Sequence, residues 1–227
     1  MNKNILGLAL AALFTTGTAQ ALIIDDFSQI DMLATTPAAA GPQTAGPFTE
    51  TVSNALGGTR TIMASGDGAF TQVTARTLSG SQQFSLSSGG ATSVATGMLT
   101  WDSNGNGLGG IDLTDGLSNN QFNFTIDSID TGAITLTLAV TDTLDQIASA
   151  SISGSDVIDT HSLAFSLFSG ADLSSAKAIS LTVVGGTATD FTMSLLETSG
   201  TPVPAPAPIA LVIAGLAAVG LRRKANA

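Results

Sequence analysis

The sequence predicts an all-β protein: an antiparallel β-sandwich of jelly-roll type, flanked by an N-terminal signal helix and a short C-terminal transmembrane helix. Three observations carry this prediction. Apolar residues recur at every second position in short runs, turn-forming residues separate those runs, and each chain end has a hydrophobic run with positive charge beside it.

The N-terminal end is a signal peptide by its order of parts. Lys3 supplies the positive start, Ile5 to Phe14 is an uninterrupted run of apolar residues and glycine, and Ala19-Gln20-Ala21 places small residues where a signal peptidase reads them. Such a run spans only about 15 Å as a helix, too short for a lasting membrane anchor. Residues 1–21 are therefore assigned to the signal, with cleavage after Ala21 and signal peptidase as a partner.

Residues 22–199 form the domain, a length that suits a single core. All 17 acidic residues of the chain fall there, against Arg60, Arg76 and Lys177, for a net charge of −14. This excess repels nucleic-acid phosphates, because binding them relies on Lys and Arg displacing counterions; nucleic acid is excluded as a partner. The acidity serves solubility or attracts divalent cations. Without cysteine, disulfides, thiolate metal sites and cysteine nucleophiles are all ruled out.

Within the domain, Phe122, Phe124 and Ile126 alternate with polar neighbours, as do Ile134, Leu136, Leu138 and Val140. The pattern returns at Ala148, Ala150 and Ile152, at Leu163, Phe165 and Leu167, at Ile179, Leu181 and Val183, and at Phe191, Met193 and Leu195. Ser128 to Gly132, Gly154-Ser155-Asp156, Ser169-Gly170 and Gly185-Gly186 are the turns between them. Phe70 to Thr77, Gln82 to Ser87 and Thr92 to Trp101 alternate more weakly and add strands, about ten in all. Leu33 to Gly46, rich in Ala, Thr, Pro and Gly, reads as a long surface loop, and Asp172 caps a single helical turn.

At the C-terminal end, residues 200–208 are a Pro-rich linker containing Val203-Pro204-Ala205-Pro206-Ala207, residues 209–221 are an apolar run, and residues 222–227 begin with Arg222-Arg223-Lys224. The alternating prolines favour an extended stalk. The apolar run rises only about 20 Å as a helix, a marginal span, and the three cations hold the tail on the cytoplasmic side as a stop signal. These three elements in this order resemble the PEP-CTERM sorting signal of exported bacterial proteins, in its Val-Pro-x-Pro-Ala variant. The resemblance implies an exosortase-like processing enzyme as partner, anchoring in the inner membrane facing the periplasm, and then a cell-surface or extracellular location. The segments Leu22 to Phe27, Trp101 to Gly116 and Phe191 to Glu197 also resemble the jelly-roll domains of such proteins. No Leu-Pro-x-Thr-Gly motif is present, which disfavours a sortase.

Candidate chemistry concentrates between Asp102 and Gly116. Asp102, Asn104 and Asn106 with Gly107 follow the opening of a calcium loop, where oxygen ligands alternate. Leu113 stands where a bidentate Glu belongs, so Asp112 or Asp115 would have to supply the carboxylate. The alternative is a glycine-rich connection between two strands. Calcium is the one cofactor these residues suggest; no Lys-Ser or Lys-Thr follows the glycines to make a phosphate loop.

His161, the single histidine, reads as a solvated turn residue at a strand edge. Asp25 and Asp26 point to opposite faces as neighbours on a strand, so they make no catalytic pair. With one Trp, no Tyr, and Phe in the apolar phases, no stacking platform for sugar is evident, and Trp101 reads as core or edge. The expected function is non-enzymatic, a surface or matrix protein; the alternative is a calcium-assisted module binding exopolysaccharide. Intact-mass measurement of the protein from its native cells should find termini at Leu22 and near Pro204, and a retained Met1 would refute the export reading.

Overall fold

A computed structural model describes residues 21–67, 72–89, 94–130, 132–155, 157–186 and 188–200. The signal peptide up to Gln20, the sorting motif Val203 to Ala207, the 209–221 helix and the basic tail lie outside the described residues, as do Phe70, Thr92 and Asp156 among the internal expectations.

The described residues form two antiparallel sheets and almost no helix. The first sheet orders its strands as β11 (Asp159–Ala164), β8 (Gln121–Ile129), β13 (Asp190–Ser199), β6 (Gln83–Ser88), β5 (Val73–Leu78) and β2 (Met32–Thr35), with β1 (Leu22–Asp25) beside the second half of β13. The second orders β10 (Ile147–Gly154), β9 (Ile134–Asp142), β12 (Ala176–Gly185), β7 (Ala95–Trp101), β4 (Thr59–Gly66) and β3 (Gln43–Thr51). From β6 onward the chain gives β6-β13-β8-β11 facing β7-β12-β9-β10, which is the double Greek key of a jelly roll. The earlier strands widen both sheets.

The period-two phases explain the layers. Phe122, Phe124, Ile126, Leu136, Leu138, Val140, Ile179, Leu181 and Val183 are all buried in one cluster, while their Thr and Ser neighbours remain partly open to solvent. Those outward hydroxyls pair across strands, as in Thr137 with Ser151 at 2.8 Å, Thr135 with Ser153 at 2.9 Å and Thr49 with Thr61 at 2.7 Å. Gly97 allows the sheets to approach closely: a Cβ there would come within 3.1 Å of both Leu86 and the tip of the Phe84 ring.

Three expectations need correction. Leu33 to Gly46 is not one long loop, because β2 begins at Met32 and β3 at Gln43. Both β3 and β4 went unread because β3 is exposed through most of its length and β4 carries Arg60 in its apolar phase beside Ile62 and Ala64. The alternation Leu163, Phe165, Leu167 stops at β11, after which Phe165–Leu167 forms a 3₁₀ turn. Three residues per turn bring Phe165 and Phe168 edge-on against Phe122, with centroids at 4.9 and 5.1 Å, and leave Leu167 exposed. In β13 the phase slips at a bulge: Leu195 sits at φ 48°, and burial passes from Phe191 and Met193 to Leu196.

A polar cluster lies inside the sandwich. Arg60 on β4 is fully buried, and its Nη1 donates to both carboxylate oxygens of Asp25 at 2.9 Å. Its Nη2 donates to the carbonyls of Gln29 and Ile30 and to Thr77 Oγ1, at 2.8, 3.0 and 3.2 Å. Its Nε meets Met32 Sδ at 3.4 Å, and its guanidinium carbon stands 5.6 Å from the centre of the Phe27 ring. Trp101 Nε1 and the Phe27 amide also donate to Asp25, at 2.9 and 2.8 Å. Desolvation by burial raises the Asp25 pKa, and Arg60, Trp101 and Phe27 offset this only in part.

Removing one partner of such a pair leaves a buried charge uncompensated, which costs roughly 3–5 kcal/mol. Arg60→Met should therefore lower unfolding free energy in urea by about that amount, and adding Asp25→Asn should recover much of the loss. Equal stability of Arg60→Met and the parent would contradict the assignment.

Candidate functional site

The sites proposed from sequence fall in different places. Ala21 opens the described chain and is exposed, and Ala19 lies outside it. Asp102, Asn104 and Asn106 belong to a tight turn after β7: Gly107 N bonds the Asp102 carbonyl at 2.7 Å, and Asn106 Nδ2 donates to the Ser103 carbonyl at 3.0 Å. Ser103 and Asn104 both take positive φ there, at 52° and 56°.

Further on, Asp112 accepts from the Thr114 amide, the Thr114 hydroxyl and the Gly116 amide at 2.8, 2.6 and 3.0 Å. Those bonds, the Thr114 hydroxyl first, lower its pKa. Leu113 points into the core, so the position that would carry a bidentate Glu faces away from any ion. Asp112 and Asp115 share a shallow cleft of about 200 Å³ with Ala21 and Leu22, and Asp102, Asn104 and Asn106 do not line it. Among the described residues, no three Asp, Glu or His side chains converge as a metal site would require.

His161 is not a solvated turn residue. It lies on the edge strand β11, half-buried, stacked on Phe124 with centroids 5.8 Å apart, and its Nε2 is bonded to the Val157 carbonyl. Trp101 is core, fully buried with its indole N–H on Asp25. Asp25 and Asp26 do part to opposite sides: Asp25 is sealed inside, whereas Asp26 lines an open cleft.

That cleft, of about 340 Å³, is lined by Asp26, Ser81, Gln82, Gln83, Asp127, Ser194 and Leu195. Its position follows from the sheet. β13 pairs with β6 over Asp190 to Met193 and with β1 over Leu196 to Thr198. Between these partners fall Ser194 and the bulged Leu195, so the sheet forks there. The end of β1 brings Asp26 to the fork, and β6 brings its first residue Gln83 there, with Ser81 and Gln82 from the turn before it.

The polar groups in the cleft are held in place. Asp127 accepts from Ser194 Oγ at 3.1 Å and from Gln83 Nε2 at 3.2 Å. Asp26 accepts from the Ser28 amide at 2.9 Å and from the Asn54 side chain. Burial acts to raise its pKa, but the hydrogen bonds of Ser28 and Asn54 outweigh it and the net shift is downward.

This arrangement offers amides, hydroxyls and carboxylates to a ligand, with Leu195 as apolar contact. A glycosidase also needs a carboxylic acid held protonated near neutral pH. Asp26 is shifted the wrong way for that, and the upward-shifted Asp25 is out of reach beneath Arg60 and Trp101. Gln82-Gln83 with Asp127 in the polar phase of β8 was the available sequence signal for the cleft. The bulge that joins them had none.

No protein-family model matches the chain, and no curated protein matches it. Among solved structures, the chain is similar to a family 11 carbohydrate-binding module from Clostridium thermocellum in complex with a β-1,3-1,4-mixed-linked tetrasaccharide. The identity is 13%, the coverage 82% of this chain and 98% of that one, and the TM-score 0.43. The family 11 module of the C. thermocellum cellulosomal cellulase gives the same identity and TM-score, with 82% and 97% covered. An exo-β-agarase matches at 11% identity over 81% of this chain and 26% of the enzyme, with a TM-score of 0.42. Likeness of this degree carries no ligand from those proteins to this one.

Acid should weaken the fold through carboxylates whose pKa is lowered, among them Asp26, Asp112 and Asp142, the last accepting from the Asp172, Gln146 and Leu144 amides. Their contribution is complete above the unfolded value of 3.8 and is lost as pH falls through the lower folded values. The raised Asp25 acts oppositely, its contribution lost as pH rises from 3.8 through its folded value. Urea midpoints should therefore drop steeply below pH 3.8, less so in Asp142→Asn; an unchanged acid limb in that variant would refute the role of Asp142.

Proposed function

We propose that this protein is an exported, non-enzymatic surface protein whose β-sandwich binds a neutral extracellular polysaccharide in the cleft at the fork of the first sheet. The observation that carries the binding reading is the convergence of Gln82, Gln83, Asp127, Ser194 and Asp26 on one open cleft of about 340 Å³. Fixed amides, hydroxyls and carboxylates are the groups that hydrogen-bond vicinal sugar hydroxyls, and a few such groups set orientation in a ligand cleft.

The charge selects among glycans. A domain of net −14 with carboxylates in the cleft repels polyanionic chains, which leaves neutral ones. Buried Trp101 offers no stacking face, so affinity rests on polar contacts and is modest per site. Calcium has no part in this reading, since the cleft brings together only two carboxylates, Asp26 and Asp127, and among the described residues no third Asp, Glu or His joins them.

Export rests on the signal-like start and the PEP-CTERM-like end. Cleavage after Ala21 would place a new Leu22 ammonium at the cleft that Asp112 and Asp115 line. After processing, the domain stands outside the inner membrane and is passed to the surface.

Affinity electrophoresis against mixed-linkage β-glucan, xylan, agarose and alginate tests the binding. At least one neutral polysaccharide should retard the protein and alginate should not; Gln83→Ala with Asp127→Ala should abolish the retardation while leaving the circular dichroism spectrum unchanged. Retardation unaffected by the double variant would remove the cleft from the reading, and no retardation by any neutral chain would end it.

A further inference from the structure

The sandwich leaves strand edges open, and these edges are not alike. An exposed edge presents unpaired backbone groups to any strand of matching register, and proteins guard against this with short strands, prolines, charges or bulges. On β3 the register shifts between Ala45 and Phe48 around Pro47, and Glu50 follows. On the other sheet β2 has four residues, and β11 has six, beginning at Asp159 and turning into a 3₁₀ turn.

β10 has none of these guards. Its eight residues, Ile-Ala-Ser-Ala-Ser-Ile-Ser-Gly, contain no charge and no proline, and they pair with β9 in unbroken register from Ile147 to Gly154. No strand pairs with its other side among the described residues. Its first residue, Ile147, is 68% exposed.

We infer that β10 is a pairing edge, and that its partner is β10 of a second copy, joined antiparallel about a two-fold axis at Ser151. The sequence of the strand selects itself. Antiparallel pairing keeps each sheet face continuous only if residues of like phase stand opposite each other. With Ser151 on the axis, Ser149 faces Ser153 of the second copy, Ala150 faces Ile152, and Ala148 faces Gly154.

Hydroxyls thus meet hydroxyls on the outer face, and on the inner one alanines meet Ile152 and Gly154. The rows Thr137–Ser151 and Thr135–Ser153 then continue across the junction, since each hydroxyl can both donate and accept. Ile147 falls opposite Ser155 of the second copy, on the outer face with the hydroxyls. A two-fold contact uses the same edge on both copies and closes, so the product is a dimer with one twelve-stranded sheet, two of the six-stranded kind joined, and not a fibre.

The absence of native cysteine makes the register directly testable. Opposed Cα atoms in an antiparallel pair lie about 4.5 or 5.5 Å apart, and both separations suit a disulfide. In the full chain, mild oxidation of Ser151→Cys should convert most of the protein to a species of twice the chain mass on a non-reducing gel. Ser149→Cys and Ser153→Cys should cross-link when mixed and not singly. Ser180→Cys, in the middle of the same sheet face, should not cross-link and should run at the single-chain mass on that gel. Ser151→Lys, which sets like charges against each other on the axis, should halve the mass seen by light scattering. Failure of Ser151→Cys to cross-link overturns the proposal, as does cross-linking of Ser180→Cys to the same extent, or a monomeric parent chain by light scattering.

Discussion

The buried contact between Arg60 and Asp25 is the constraint on which the rest of this structure depends. Arg60 rises from the second sheet, and its partners Asp25, Thr77 and Met32, with the carbonyls of Gln29 and Ile30, belong to the first sheet or to the segment between β1 and β2. Apolar packing alone tolerates sliding between two sheets of Leu, Val and Ile. A guanidinium with fixed donor directions does not. The pair adds little net stability over a well-packed apolar substitute, so its contribution is positional. It sets where β1 ends, and thereby where Asp26 emerges beside the fork.

The fork shows how one extra residue makes a recess from a regular sheet. Without the bulge at Leu195, β13 would continue its alternation, Leu195 would face the core, and Glu197 would follow it inward. With the bulge, Leu196 and Thr198 are buried, and Glu197 is only partly so. The same shift lets β6 and β1 share one edge of β13 in succession, and the polar ends of both strands line the recess they leave.

Much of the fold was legible in the sequence because the strong strands follow the period-two rule. Phe122 to Ile126, Ile134 to Val140 and Ile179 to Val183 are buried in the phase their alternation dictates, and the Asp172 cap is formed as its side chain requires, accepting from the Ser174 amide. The rule failed where tertiary contacts replaced it: at Arg60, where a cation takes an apolar position, at Phe165, where a tighter turn takes over, and at Leu195. The candidate cleft was less legible than the fold. Its residues come from four separate segments, and Asp26 is told apart from Asp25 only once the direction of each side chain is known. The Asp102 to Asp115 stretch was conspicuous because Asn, Asp and Gly serve turns as readily as ions.

The first and last strands of the domain are neighbours: Leu22 pairs with Thr198 and Ile23 with Glu197. β13 is also an interior strand, hydrogen-bonded to β8 on one side and to β6 and β1 on the other. A chain that emerges N-terminus first, from a ribosome or through a membrane pore, therefore lacks the middle of its first sheet until the last strand has appeared. Until then β8 and β6 have no common partner, and β1 has nothing to pair with. Completion of the sandwich is tied to arrival of the C-terminal end, so a truncated or stalled chain stays open, visible to proteases and chaperones as unfinished.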